Sequence, residues 1–278
     1  MTDKAPERRT APIYGRWLAY AGGLMMLFLL LPLAALLLRT MQSDGLHTLG
    51  STTATVRTAL LLSLATTGAS MVLVVGFGTP LAFALARHQF RGKRVLSIFV
   101  ELPIVMPPVV AGLALLMAFG RRGLLGAPLA DLGIYLAFTP AAVILAQTFV
   151  SAPFFIRAAQ IRFEAIPREL EEAAAIDGAS GWQLFWEVII PLSWRGLFVG
   201  LLLSWARALG EFGATILFAG NLVGRTQTMP LLVYSALERD LDSTLWTSIA
   251  LLALAIPALA LVQLLSRRWQ SEDSTLLY

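Results

Sequence analysis

The sequence predicts an all-α polytopic membrane protein, a bundle of about six transmembrane helices, and three observations predict it. Of 278 residues, 57% are hydrophobic and 14% charged, whereas soluble domains carry about 25% charged and 45–50% apolar residues. The mean hydropathy is +0.74. The apolar residues gather in six runs, each as long as the roughly 20 residues needed to cross about 30 Å of hydrocarbon. Lipid offers no partner to a free peptide group, so such runs must be helices, and the alternation of a membrane β-barrel is absent.

The composition excludes a disordered chain and an ordinary soluble enzyme. A pI near 9.8 invites a nucleic-acid reading. Yet the net charge is only +4, and the basic residues sit between apolar runs rather than in a patch. There is no cysteine, hence no disulfide, thiolate metal site or cysteine nucleophile. His47 and His88 stand alone in different connections and lack metal-ligand company.

The first span is expected at 17–38. Its apolar stretch is long for a signal peptide and no small-residue cleavage site follows, so it is read as a retained helix. The second and fifth, 54–86 and 188–218, exceed a straight crossing and imply tilt or overhang. The third, 95–119, begins among Pro103, Pro107 and Pro108, which break helices. The fourth is expected at 134–156 and the sixth at 245–265. Trp182, Trp186, Trp194, Trp246 and Trp269 fall near the expected interfaces, where aromatic belts form.

Lysine and arginine in the connections set the orientation. Fourteen lie on one side: Lys4, Arg8, Arg9, Arg16, Arg87, Arg91, Lys93, Arg94, Arg157, Arg162, Arg168, Arg195, Arg267 and Arg268. Six lie on the other: Arg39, Arg57, Arg121, Arg122, Arg225 and Arg239. The excess places both termini in the cytoplasm, and six spans are consistent with that. The expected organisation is a cytoplasmic arm (1–16), a transmembrane domain (17–268) containing a long cytoplasmic loop (157–191), and a short polar tail (269–278).

That loop is the most informative segment. Pro167 suits a helix start, where its missing N–H costs nothing. Glu169, Glu171 and Glu172 are expected in the first turn, beside the positive helix end. Ala173, Ala174 and Ala175 favour helix with little bulk. Gly178 suits the left-handed residue that ends it, and Ser180 caps a second helix carrying Trp182, Phe185 and Trp186 toward the interface. Such a smooth helix fits a groove on a partner protein or serves as a solvated connector.

Glu172-Ala173-Ala174, three residues, Gly178, nine residues, then Val188-Ile189-Ile190-Pro191 resembles the "EAA" loop of ABC-importer permeases, E-A-A-x3-G-x9-I-x-L-P. Only Val188 and Ile190 depart from it, both conservatively. The resemblance implies a type I importer permease-like fold in which Glu172, Ala173, Ala174, Asp177, Gly178 and Pro191 belong to a helix docked in a cytoplasmic ABC ATPase. No G-x-x-x-x-G-K-[ST] occurs, so the ATPase is another chain. One such helix per chain and two ATPases imply a homodimer.

Leu102-Pro-Ile-Val-Met-Pro-Pro-Val-Val-Ala-Gly112 and Gly120-Arg-Arg-Gly-Leu-Leu-Gly126 are similar to molybdate permeases. Ala206-Arg-Ala-Leu-Gly-Glu-Phe-Gly-Ala-Thr215 and Phe218-Ala-Gly-Asn221 are similar to the wider sulfate and molybdate branch. Gly224-Arg-Thr-Gln-Thr-Met-Pro230 lies closer to molybdate. The resemblance implies molybdate transport, an extracytoplasmic oxyanion-binding protein as partner, surrounding membrane lipid, no nucleic acid and no cofactor. Sulfate, thiosulfate or tungstate is the alternative cargo. A membrane-embedded enzyme or sensor is the rival class, and the scattered carboxylates argue against an enzyme.

Arg207 and Glu211 are costly in lipid and stand at i,i+4. They are either a strut within the helix or part of a permeation path with Thr215, Asn221, Arg225 and Thr226. Gly210, Gly213 and Gly220 suggest a broken helix or ordinary helix-end geometry. Glu101 reads as an interfacial residue reaching for the cytoplasmic face.

Overall fold

The computed structural model describes residues 14–43 and 46–275. The arm up to residue 13 and the last three residues lie outside it, as do the side chains of Arg16, His47, Arg267, Arg268 and Trp269. The described chain is helical throughout its ordered elements. In order they are α1 (Tyr14–Gln42), α2 (Leu46–Arg87), α3 (Lys93–Val105), α4 (Pro108–Phe119), α5 (Gly126–Asp131), α6 (Pro140–Glu164) and α7 (Arg168–Ile176). There follow α8 (Gly181–Gln183), a π-helical segment Leu184–Ile189, α9 (Ile190–Leu209), α10 (Gly213–Phe218), α11 (Met229–Leu237) and α12 (Leu241–Thr275).

Helix α6 is the axis of the bundle, with α2 along one side and α9 along another. Small residues allow the close approach. A Cβ on Gly200 would stand 2.7 Å from that of Ala158, and one on Gly78 would stand 3.1 Å from the Phe155 ring. Polar groups join the helices: Ser204 Oγ donates to Ser151 O at 2.8 Å, and Ser70 Oγ lies 3.0 Å from Ile144 O. One apolar cluster, with Leu85, Phe155, Phe163 and Ile189, fills the α7 end. Another, with Leu115, Val143, Val150 and Phe218, fills the opposite end. Helix α1 is apolar all round and buries none of its spanning window, as a lipid-facing helix does.

The spans differ from the sequence expectation in four places. Among the described residues four unbroken helices are long and apolar enough to cross a membrane, and α3 with α4 makes a fifth, broken span. The described apolar part of the sixth, Leu241–Pro257, is shorter. The expected span at 95–119 is bent by 119° between α3 and α4. Its break lies mid-span rather than at the start, and Pro103 sits unbroken within α3. The residue before a proline is driven to extended backbone, and here two act in series: Met106 has ψ 130° and Pro107 has ψ 134°.

The fourth span begins at Pro140 rather than 134, because Gly133 and Phe138 have positive φ, 74° and 60°. The fifth begins early, as one rod with α8, and ends at Leu209, with α10 continuing after a break. The sixth continues helically through Thr275 where a polar tail was expected.

The two breaks pack on each other. A Cβ on Gly213 would lie 2.6 Å from Pro108 Cβ, and one on Gly112 would lie 2.8 Å from Ala214 O. Only glycine permits α4 and α10 to start in contact.

Candidate functional site

Two regions carry the predicted site residues. The first is α7 and its flanks. Pro167 is the residue before the helix, not its first turn, and Glu169 and Glu171 occupy the first turn while Glu172 lies in the second. The C-terminus closes as a Schellman motif: Gly178 N–H donates to Ala175 O (3.1 Å) and Ala179 N–H to Ala174 O (3.0 Å). Gly178 has φ +88°, the left-handed conformation that glycine takes without a Cβ penalty. Ser180 and Gln183 then form a capping box, with Ser180 N–H donating to Gln183 Oε1 at 2.9 Å.

Helix α7 buries no residue of its own. Glu172, Ala173, Asp177 and Gly178 are exposed, Ala174 is half-buried, and Ile176 presents 86% of its surface. What attaches it is Arg87, which sequence reasoning counted only as an orienting charge. Arg87 Nη2 donates to Ile166 O at 2.9 Å and pairs with Glu171. The arginine fork suits two acceptors at once.

Further along the loop, Phe185 turns inward instead of toward the interface. It packs edge to face on Phe83 (5.2 Å), which packs on Phe163 (5.6 Å). Trp182 and Trp186 remain outside. Pro191 is the second residue of α9, one residue beyond the π-helical segment. A proline ring crowds the carbonyl four residues back and offers it no N–H, and a widened turn is how a helix absorbs that without ending.

The second region is the break between α9 and α10. Arg207 Nη1 donates to Glu211 Oε2 at 2.7 Å. Glu211 is 1% exposed and its Oε1 accepts the Ala214 N–H at 2.8 Å. The carboxylate therefore spans the break, tied to the helix on each side. Arg207, in the last turn of α9, also meets the negative end of that helix. Thr215 is fully buried in α10.

Thr226 is fully buried and its Oγ1 accepts the Leu222 N–H at 3.0 Å. Asn221 donates to Ser235 Oγ (2.7 Å) and accepts from Gln227 Nε2 (3.0 Å). These three side chains hold the 219–228 loop together. Arg225 is exposed and lines a cavity of about 330 Å3 at this end with Arg121, Tyr135, Phe138 and Thr139. The Arg121 guanidinium lies 5.8 Å from the centre of the Tyr135 ring. The described residues hold no group of three His, Cys, Asp or Glu able to bind a metal ion.

The family described as binding-protein-dependent transport system inner membrane component matches residues 78–271. The molybdenum transport system permease protein ModB of Mycobacterium tuberculosis is 41% identical over 247 residues, 89% of this chain and 92% of that protein. The sulfate transport system permease protein CysW of Synechococcus elongatus is 42% identical over 194 residues, 69% of this chain and 68% of that protein. A solved bacterial alginate ABC transporter, in complex with an alginate pentasaccharide-bound periplasmic protein, shares the fold. Its TM-score is 0.71 at 19% identity, covering 93% of this chain and 96% of that chain. The chain accordingly belongs to the binding-protein-dependent transport system inner membrane component family, as a multi-pass permease subunit of an ABC importer, a transport protein whose ATP hydrolysis falls to a partner chain.

Proposed function

We propose that the chain forms the transmembrane path of a molybdate importer. The observation that carries this reading is the reach of the likeness to a molybdenum permease, 89% of the chain against 69% for the sulfate permease. The sulfate relative's 42% identity makes sulfate or thiosulfate the second reading, with tungstate beside molybdate on chemical grounds.

In this reading the α7 end faces the cytoplasm, both termini lie there, and Glu172 to Gly178 dock in a cleft of an ABC ATPase. The solvent-facing helix, joined to the bundle through Arg87, supports that role. Two copies of the permease, related by a two-fold axis, present two such helices to an ATPase dimer. Closure of the ATPases moves the docked helices, and the bundle switches between inward-open and outward-open states as rigid bodies.

An oxyanion-binding protein delivers at the opposite end, near Arg121 and Arg225. Of the polar residues between the breaks and that end, Arg207, Asn221 and Arg225 have exposed surface to offer an anion, while Glu211 and Thr226 accept backbone N–H groups that shape the path and Thr215 is enclosed in α10. The test is uptake of radiolabelled molybdate by vesicles holding the permease, its ATPase and its binding protein, with tungstate and sulfate as competitors. Competition by tungstate and not by sulfate is expected. Strong competition by sulfate at equal concentration assigns the chain to sulfate.

A further inference from the structure

Between α2 and α3 the chain reads Arg87-His-Gln-Phe-Arg-Gly-Lys-Arg94. A cavity of about 680 Å3 opens there, bounded by this turn, the start of α3 and Arg157 of α6. Four charged side chains line it: Lys93, Arg94, Glu101 and Arg157. Glu101 and Arg157 neutralise each other as an ion pair, and Arg157 Nη1 also donates to Gln160 Oε1 at 2.9 Å. Among the described residues Lys93 and Arg94 enter no ion pair. The cavity is left with two uncompensated positive charges, and the positive end of α3 adds to them.

The same cavity is apolar on its other side. Val95 and Ile98 line it and are 56% and 64% exposed. Phe99 (63%) and Leu102 (43%) continue the stripe down α3 at i, i+3, i+4 and i+7 spacing. A free oxyanion would use the charges and leave the stripe unused. A molecule with a phosphodiester at one end and hydrocarbon at the other uses both, and basic pockets at helix ends recognise such headgroups.

We propose that this cavity is a binding site for an anionic phospholipid, its phosphodiester held by Lys93 and Arg94 and its acyl chains lying on Val95, Ile98, Phe99 and Leu102. The site is separate from the path of the transported anion and binds lipid whichever anion the permease carries. Because α3 leads directly into the 119° break, a bound lipid fixes the angle at which this half of the broken span meets α6.

The test uses the purified full-length chain in nanodiscs, with bound lipid counted by native mass spectrometry. The probes are phosphatidylglycerol and phosphatidylcholine with identical acyl chains, and glycerol phosphate, inorganic phosphate and molybdate as chain-free anions. Wild type is expected to retain phosphatidylglycerol over phosphatidylcholine. Lys93→Ala with Arg94→Ala should weaken that retention by roughly thirtyfold, at about one interfacial charge's worth each. Arg121→Ala with Arg225→Ala, the same charge removed at the opposite end, should leave it intact.

Equal retention in the Lys93/Arg94 variant overturns the site, and so does equal loss in the Arg121/Arg225 variant. Displacement of the lipid by phosphate or molybdate alone makes it a free-oxyanion site and also overturns the proposal. Wild type gives an independent answer: phosphatidylglycerol with a photoreactive headgroup should crosslink within residues 89–98, and crosslinks confined elsewhere refute it.

Discussion

Replacing Arg87 tests how α7 is joined to the bundle. Its guanidinium holds two groups, the Ile166 carbonyl at 2.9 Å and the Glu171 carboxylate. The Arg87 and Glu171 side chains are 9% and 20% exposed. A partly exposed ion pair contributes about 0–1 kcal/mol, and a hydrogen bond from a charged donor to a carbonyl about 1.5–3 kcal/mol. Arg87→Ala therefore removes on the order of 2–3 kcal/mol of attachment from a helix with no buried residue of its own. A loss of ~2 kcal/mol moves a two-state equilibrium about thirtyfold, so α7 is no longer held rigidly to the bundle.

The assay is molybdate taken up per ATP hydrolysed, in vesicles with the ATPase and binding protein. Arg87→Ala should lower the ratio by roughly thirtyfold. Arg87→Lys should fall between it and wild type, because an ammonium lacks the fork. Glu171→Gln leaves the Ile166 bond in place and should cost less than about fivefold. Wild-type coupling in Arg87→Ala, or a larger defect in Glu171→Gln than in Arg87→Ala, refutes the reasoning.

Gly178→Val forces a β-branched residue into φ +88°, at a cost of about 1–2 kcal/mol, and should uncouple ATP hydrolysis from uptake in the same vesicles. Gly213→Leu drives a side chain into Pro108, 2.6 Å from where a Cβ would stand; thermal unfolding in detergent should register a destabilisation of about 1–3 kcal/mol or more. Glu211→Ala removes both ties across the α9–α10 break and strands Arg207; a loss of about 3 kcal/mol, measured against the double variant with Arg207→Ala, is expected.

Asp240 is held below the usual carboxylate range by hydrogen bonds from the Ser243 amide and hydroxyl and the Asp242 amide. Its folded pKa is lowered, so its contribution is full above the unfolded value and is lost as pH falls through the folded one. The stability difference between wild type and Asp240→Asn should persist at neutral pH and fade below about pH 4.

Local signals were legible in the sequence and tertiary ones were not. Gly178 and the Ser180 cap act within a single turn, and the structure places both as their chemistry requires. Pro107 and Pro108 announce a break, but nothing local gives its size, which is set where Gly213 and Gly112 admit the other broken helix. Helix α11 escaped notice because its apolar stretch is below spanning length and carries no charge. Arg87 was legible as a charge and illegible as a clasp, since Glu171 lies far along the chain. Polarity likewise marked Thr215 and Thr226 without saying which way they point; both are enclosed.

The two apolar clusters make the mechanics of the bundle definite. Leu85, Phe155, Phe163 and Ile189 weld the α7 ends of α2, α6 and α9 into one body, and Arg87 and the Phe83–Phe185 contact fasten the loop to it. Leu115, Val143 and Phe218 weld α4, α10 and the far half of α6 into another. Of the helices in both bodies, α6 runs unbroken, while α9 and the α3–α4 span are interrupted where the bodies meet. A close-packed core transmits displacement rather than absorbing it. Relative motion of the two bodies, as proposed for the transport cycle, would fall on the breaks, where Pro107, Gly210 and the Glu211 carboxylate stand in for continuous helix. Stiffening a break should then slow transport without loosening the attachment of α7, and loosening Arg87 should do the reverse.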